Sequence, residues 1–225
     1  MSFLIGADLK AAYARTPRSK TNLEWSTGAT FTLVRDIIRG AIEASIRVKQ
    51  SFLNQPEIID LVEVIAQRMV ETFRSGGRVY FCGNGGSAAD AQHLAAELSG
   101  RFYKDRPPLP AEALHVNTSF LTAVANDYSY EEVYARLLKG VGRRGDMLWA
   151  LSTSGRSANI LRALDTAREI GIITVGLTGE TGGQMIDRCD YLIRVPSKDT
   201  PRIQEVHMLV GHAICAAVES VLFGS

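Results

Sequence analysis

At 225 residues the chain is long enough for one full-sized hydrophobic core, whereas two independent domains would each be small. It is 46% hydrophobic and 22% charged with a formal net charge of +1, the composition of an ordinary soluble globular protein. So balanced a charge excludes an overall field for nucleic acid or an anionic membrane; a polyanion would need a local patch.

Residues 1–28 mix basic, polar and turn-forming residues with little sustained periodicity, which predicts an appended segment of unknown role with at most a short helix. The amino terminus offers only Phe3–Gly6 where a signal peptide needs an apolar core of about 7–15 residues, and no run reaches the ~18 apolar residues of a membrane span. Cys82, Cys189 and Cys215 are odd in number, lack close spacing and sit in apolar stretches, as buried thiols in a reducing cytoplasm do. An unexported, cytoplasmic chain without a membrane partner is expected, with a single domain over 29–225.

Apolar residues at Val34, Ile37, Ile38, Ala41, Ile42, Ser45 and Val48 fall at helical spacing, and Ile58, Leu61, Val62, Ile65 and Met69 repeat the pattern after Pro56. Two helices therefore precede the first strand. Short apolar runs then alternate with helical stretches: RVYFCG (78–83), EALHVN (112–117), DMLWALST (146–153), ITVGLTG (173–179) and YLIRVP (191–196) are the strand candidates. Runs of this kind suit strands buried on both faces, and the spacers leave room for crossover helices. An α/β fold with a parallel sheet is predicted. In such sheets ligands bind beyond the carboxyl ends of the strands, which directs attention to the loops after Phe81, Leu151 and Leu177.

Two of these loops are rich in glycine and hydroxyls. After DMLWAL, Ser152, Thr153, Ser154 and Ser157 surround Gly155 just before a helix predicted to start near Ala158. Hydroxyls and backbone N–H groups at a helix amino terminus favour an anion, so a phosphate fits there, although Ser154 or Ser157 could simply cap the helix. The lysine of a Walker loop and the G-x-G-x-x-G spacing are both absent, which argues against a nucleotide. One strand earlier, Gly83, Gly85 and Gly86 allow close backbone approach while Asn84 and Ser87 offer side-chain hydrogen bonds; a tight strand-to-helix turn explains the same residues. Two such loops suit a phosphorylated, hydroxyl-rich ligand.

On the helix that follows, His93 and Glu97 are four residues apart and project from one face about 6 Å from each other, a spacing open to metal binding, proton transfer or a surface hydrogen bond. Near the carboxyl end, Gln204, Met208 and the Gly211–His212 pair lie close to one stripe of a long apolar helix, where a histidine is commonly part of the core. Gln204 and His212 would stand ~12 Å apart along an ideal helix axis, too far for easy joint ligation unless the side chains lean together or different subunits contribute.

Together these motifs resemble the phosphoheptose isomerases of the sugar isomerase (SIS) domain family over residues 35–222. The segments GNGGSAADAQHLAAELSGRF, ANDYSYEEVYARLL, GVGRRGDMLWALSTSGRSANI and RIQEVHMLVGH follow the family's order. The resemblance implies a three-layer fold with a five-stranded parallel sheet flanked by helices, and a homotetramer with active sites at subunit interfaces. It implies one zinc ion per subunit held by His93, Glu97, Gln204 and His212. Substrate contacts are implied for Asn84, Gly85, Gly86, Glu97, Asn126, Asp127, Ser152, Thr153, Ser154, Ser157 and Gln204.

The implied reaction interconverts sedoheptulose 7-phosphate and D-glycero-D-manno-heptose 7-phosphate through an enediolate, the entry to activated heptose for bacterial surface polysaccharide, lipopolysaccharide included. Glu97 is assigned as base and His212 as acid, because moving a carbonyl from C1 to C2 needs one group for the carbon-bound proton and one for the oxygens. Arg101, within the family's GRF motif, assists with substrate charge. Some relatives carry an acidic residue where this chain has Pro201, with Asp199 nearby. The competing reading is a non-catalytic SIS scaffold that binds a replication initiator protein; a complete His93, Glu97, Gln204 and His212 set favours the enzyme. A sugar-phosphate-sensing regulator would need a DNA-binding helical domain or basic stretch ahead of the SIS domain, and neither is present.

Overall fold

The computed structural model describes residues 29–224; the expected extension over 1–28 lies outside the described residues. The described residues fall into two units, 29–41 and 42–224, and the first is helical throughout. Helix α1 covers Ala29–Leu53 and α2 covers Pro56–Arg74. Pro56 opens α2 where its missing N–H costs nothing, and Glu57 and Arg74 complement the two ends of the helix dipole.

Five strands follow, β1 (Val79–Gly83), β2 (Ala111–Ala113), β3 (Met147–Leu151), β4 (Ile173–Thr178) and β5 (Tyr191–Arg194). All pairings are parallel, in the order β2-β1-β3-β4-β5. The chain leaves β1 toward one edge and returns through β3 to build the other, so the loops after β1 and β3 flank the switch point where such sheets bind ligands. The second strand is shorter than EALHVN suggests. The Val116 amide turns back to the Ala113 carbonyl, and the Asn117 side chain accepts from the Phe120 amide to cap the next helix, so those residues are used for a turn and a cap.

The remaining helices are α3 (Gly86–Ser99), α4 (Thr118–Asp127), α5 (Val133–Val141), α6 (Ala158–Ile170) and α7 (Thr200–Phe223). Strand alternation sorts them into two layers. Val79 and Phe81 of β1, with Trp149 and Val175, face Ile65 and Met69 of α2, Leu94 and Leu98 of α3, and Val206, Val210 and Ile214 of α7. Tyr80 and Cys82, with Leu148 and Ala150, face Val133, Tyr134 and Leu138 of α5 and Ile160 and Leu164 of α6. Each Val, Leu, Ile, Phe or Met among them, fully buried, contributes about 1.5–3 kcal/mol. Helix α7 is long and apolar enough, by length and composition alone, to cross a bilayer. Its buried residues account for that composition, since the core helix of a three-layer protein must be apolar where it meets the sheet and α3.

Candidate active site

The serine loop leaves the carboxyl end of β3 and enters α6. Gly155 adopts φ +62°, a left-handed conformation that side chains disfavour, and thereby folds the hydroxyls around the helix start. Ser152 is buried and its Oγ lies 3.2 Å from the Ser157 Oγ, while the Ser154 Oγ accepts from the Arg156 amide at 3.3 Å. Ser157 occupies the N-cap position of α6 yet makes no capping hydrogen bond. Capping therefore does not explain the serines; the Ile160 amide donates to Asn159 Oδ1 at 3.0 Å, and the amides of Ala158 and Asn159 keep their donors for an anion. The turn before α3 is closed by its own backbone: the Ser87 amide donates to the Asn84 carbonyl at 3.0 Å, and the Ala88 and Ala89 amides to the Gly85 carbonyl at 3.0 and 3.1 Å.

Asn84 ties the two loops together. Its Nδ2 donates to Asn159 Oδ1 and its Oδ1 accepts from Asn159 Nδ2, both at 2.8 Å, and the Tyr130 hydroxyl adds a bond to the same Oδ1 at 3.1 Å. One Asn84 N–H remains for a ligand. The Tyr134 hydroxyl donates to the Gly83 carbonyl, and burial raises its phenol well above the ordinary value. Asn159, Tyr130 and Tyr134 escaped the sequence analysis because their partners lie far away in the chain. Beside the serine loop, Thr153, Ser154, Arg156, Ser197, Lys198 and Thr200 line a cavity of about 240 Å³. The run SKDT ahead of α7 was the available signal for the last three.

The second half of the site is formed where α3 and α7 cross. A β-carbon on Gly211 would come within 2.6 Å of Leu94 Cδ1, so glycine is what permits the helices to approach here. Beside that contact, His93 Nε2 and His212 Nε2 stand 3.0 Å apart, and His93 Nε2 lies 3.0 Å from Glu97 Oε1. The donor atoms of His93, Glu97 and His212 all lie within 4.8 Å of one another. Two imidazole nitrogens and a carboxylate oxygen aimed at one point form a donor set suited to zinc. Gln204 is placed elsewhere: its Nε2 would be 2.5 Å from a β-carbon on Gly86, at the start of α3. His93 is about 10 Å further along that helix and Glu97 about 16 Å.

Asn126 and Asp127 lie exposed at the end of α4, joined by a 2.9 Å hydrogen bond, three or four residues before Tyr130. Arg101 is exposed just beyond α3. Asp199 takes the N-cap position of α7 and Pro201 its first turn. Asp90, on the same face of α3 as His93, has an unpartnered buried oxygen, and burial lifts its carboxyl to about 6 against the opposing pull of His93. Its position one turn before His93 was the signal passed over.

A family model described as the SIS domain matches residues 47–179. The chain is 52% identical over 190 residues to the phosphoheptose isomerase of Aneurinibacillus thermoaerophilus, covering 84% of this chain and 96% of the relative. It is 55% identical over 179 residues to that of Mycobacterium tuberculosis, covering 80% and 91%. The chain belongs to the phosphoheptose isomerases of the SIS domain family. Solved phosphoheptose isomerases from Neisseria gonorrhoeae and Francisella tularensis superpose with TM-scores of 0.78 and 0.79 at 38% and 36% identity; each match covers 83% of this chain and 99% and 98% of those chains. The enzyme is thus a sugar-phosphate isomerase, and the scaffold reading finds no support among these relatives.

Proposed function

We propose that the enzyme interconverts sedoheptulose 7-phosphate and D-glycero-D-manno-heptose 7-phosphate, supplying activated heptose for lipopolysaccharide or another bacterial surface polysaccharide. The observation that carries this reading is the convergence of His93, Glu97 and His212 where α3 and α7 cross, in a chain whose serine loop before α6 is suited to a phosphate. The relatives' names supply the heptose.

The Ala158 and Asn159 amides at the start of α6, with Ser152, Thr153, Ser154 and Ser157, bind the phosphate; Asn84, Gly85, Gly86 and Gln204 hold the sugar, joined by Asn126 and Asp127. Glu97 removes the proton from C2 of the aldose and returns it to C1, while His212 protonates the C1 oxygen and then takes back the proton of the C2 oxygen. The product is the ketose. His93, Glu97 and His212 would hold one zinc ion per subunit, with Gln204 completing the set, and a bound zinc supplies Lewis-acid stabilisation of negative charge on the substrate oxygens.

Sites completed between subunits of a homotetramer are part of the proposal. Two features support them: the separation of Gln204 from the histidines along α3, and the exposed apolar side chains of Leu33, Val34, Ile37, Ile38, Ile42 and Ile46 on α1. The three free thiols, two of them buried, suit a reducing cytoplasm. Incubation with sedoheptulose 7-phosphate, with and without added zinc, followed by NMR of the sugar, tests the reading. Zinc-dependent formation of the aldoheptose is expected; no conversion by the zinc-loaded protein contradicts it.

A further inference from the structure

Arg106 and Glu219 form an ion pair at 2.9 Å in which both side chains are only 2% exposed. Taking two charges out of water is costly, and stability alone is a weak reason to keep such a pair. Their other bonds show what the pair holds. Glu219 accepts from the amides of Phe102, Tyr103 and Lys104 at 3.3, 2.8 and 3.0 Å, so one carboxylate gathers the whole turn that follows α3. Arg106 donates from Nη2 to the Glu97 carbonyl and from Nη1 to the Leu98 carbonyl, each at 2.8 Å. These are carbonyls of the last turn of α3, which have no partner within the helix.

Both ends of the catalytic cluster are touched. On one side the guanidinium fixes the backbone of Glu97 itself. On the other, the turn held by Glu219 presents the Phe102 ring to His212, with centroids 5.5 Å apart and planes at 30°. Glu219 also lies seven residues, about two turns, beyond His212 on α7, so the pair joins the helix that carries the base to the helix that carries the acid. Burial opposes ionisation of Glu219, but the three amides and Arg106 outweigh it and hold the carboxyl below its ordinary value.

We propose that Arg106 and Glu219 are positioning residues that set the placement of Glu97 relative to His212. The inference rests on the proposed roles of those two residues. A planar guanidinium reaches Glu219 and the carbonyls of Glu97, Leu98, Gly100 and Pro107 at once, whereas an ammonium on a flexible stem cannot reproduce that fork.

The test compares Arg106→Lys, Glu219→Gln and Glu97→Gln in the full-length, zinc-loaded protein, measuring kcat, KM and bound zinc. Misplacement of reacting groups by about 1 Å costs up to ~100-fold, so kcat is expected to fall about tenfold or more in Arg106→Lys and Glu219→Gln, with KM and zinc content unchanged. A smaller fall in both folded variants, a change confined to KM, or a loss of activity in proportion to lost zinc overturns the proposal. Failure of both variants to fold also overturns it, since the pair would then be a folding element. If Glu97→Gln is inactive while the other two turn over normally, the positioning role fails alone. If Glu97→Gln is fully active, the assignment of the base has failed and the inference falls with it.

Discussion

The serine loop after β3 and the histidine cluster on α3 and α7 differ in how they are made. The loop's hydroxyls come from one contiguous stretch, Ser152–Ser157, turned by the left-handed Gly155 and pinned to the segment after β4 by the Gly179 amide on the Thr153 carbonyl and the Gln184 amide on the Gly155 carbonyl. The cluster joins His93 to His212 across 119 positions of sequence, and it exists because Gly211 lets two helices approach. A loop of the first kind fails one hydrogen bond at a time. A cluster of the second kind depends on the crossing and fails as a unit.

The sharpest way to break the second without touching its donors is Gly211→Leu. Overpacking at a helix crossing costs about 1–3 kcal/mol and pushes the backbones apart, so turnover should fall by ~100-fold or more, together with zinc binding. Zinc content and the melting temperature check this; normal zinc binding would mean that the crossing tolerates more than its geometry indicates. In the serine loop, Ser152→Ala with Ser154→Ala should raise KM by roughly 100-fold and leave kcat nearly intact, because hydrogen bonds to a charged group are worth ~1.5–3 kcal/mol each. Steady-state kinetics decides, and an unchanged KM removes the phosphate from this loop.

The smallest expected effect concerns His207, buried on α7 with its Nε2 3.3 Å from the Thr178 carbonyl. Burial lowers its pKa to about 4, so between about 6.5 and 4 the unfolded chain binds more protons than the folded one. Stability contributed by this group is present above that window and is lost as pH falls through it, by up to ~1.4 kcal/mol per pH unit. Asp90, raised to about 6 by burial, acts in the opposite direction over part of the window. The measurement is therefore a difference: denaturation midpoints of wild type and His207→Gln should converge from pH 7 to pH 4. Parallel curves would contradict the assignment.

The contrast between loop and cluster also explains what the sequence disclosed. Local signals sufficed for four of the five strands, the serine loop and the His93–Glu97 pair, because alternation, hydroxyl clustering and helical spacing are written in neighbouring residues. The short second strand escaped because a cap at Asn117 and a turn at Val116 compete for residues that alternate like a strand. The reciprocal Asn84–Asn159 bridge and the Arg106–Glu219 pair join residues 75 and 113 positions apart, and nothing near either partner marks the other. Even His212, though its place on the helix stripe was legible, gained its role only through family resemblance, since one histidine in an apolar helix reads equally well as core.

The central claim is that Glu97 carries a proton between C2 and C1 of the sugar. The direct measurement is turnover in D2O by the zinc-loaded wild type and its Glu97→Gln variant, with the sugar followed by NMR and zinc content determined on both. A carboxyl group exchanges its proton with solvent before returning it, so the wild type should place deuterium on the sugar. The variant, with zinc retained, should lose both turnover and labelling by about 10²–10⁴-fold. An unlabelled product from the wild type, or near-normal turnover by the variant, would contradict the account.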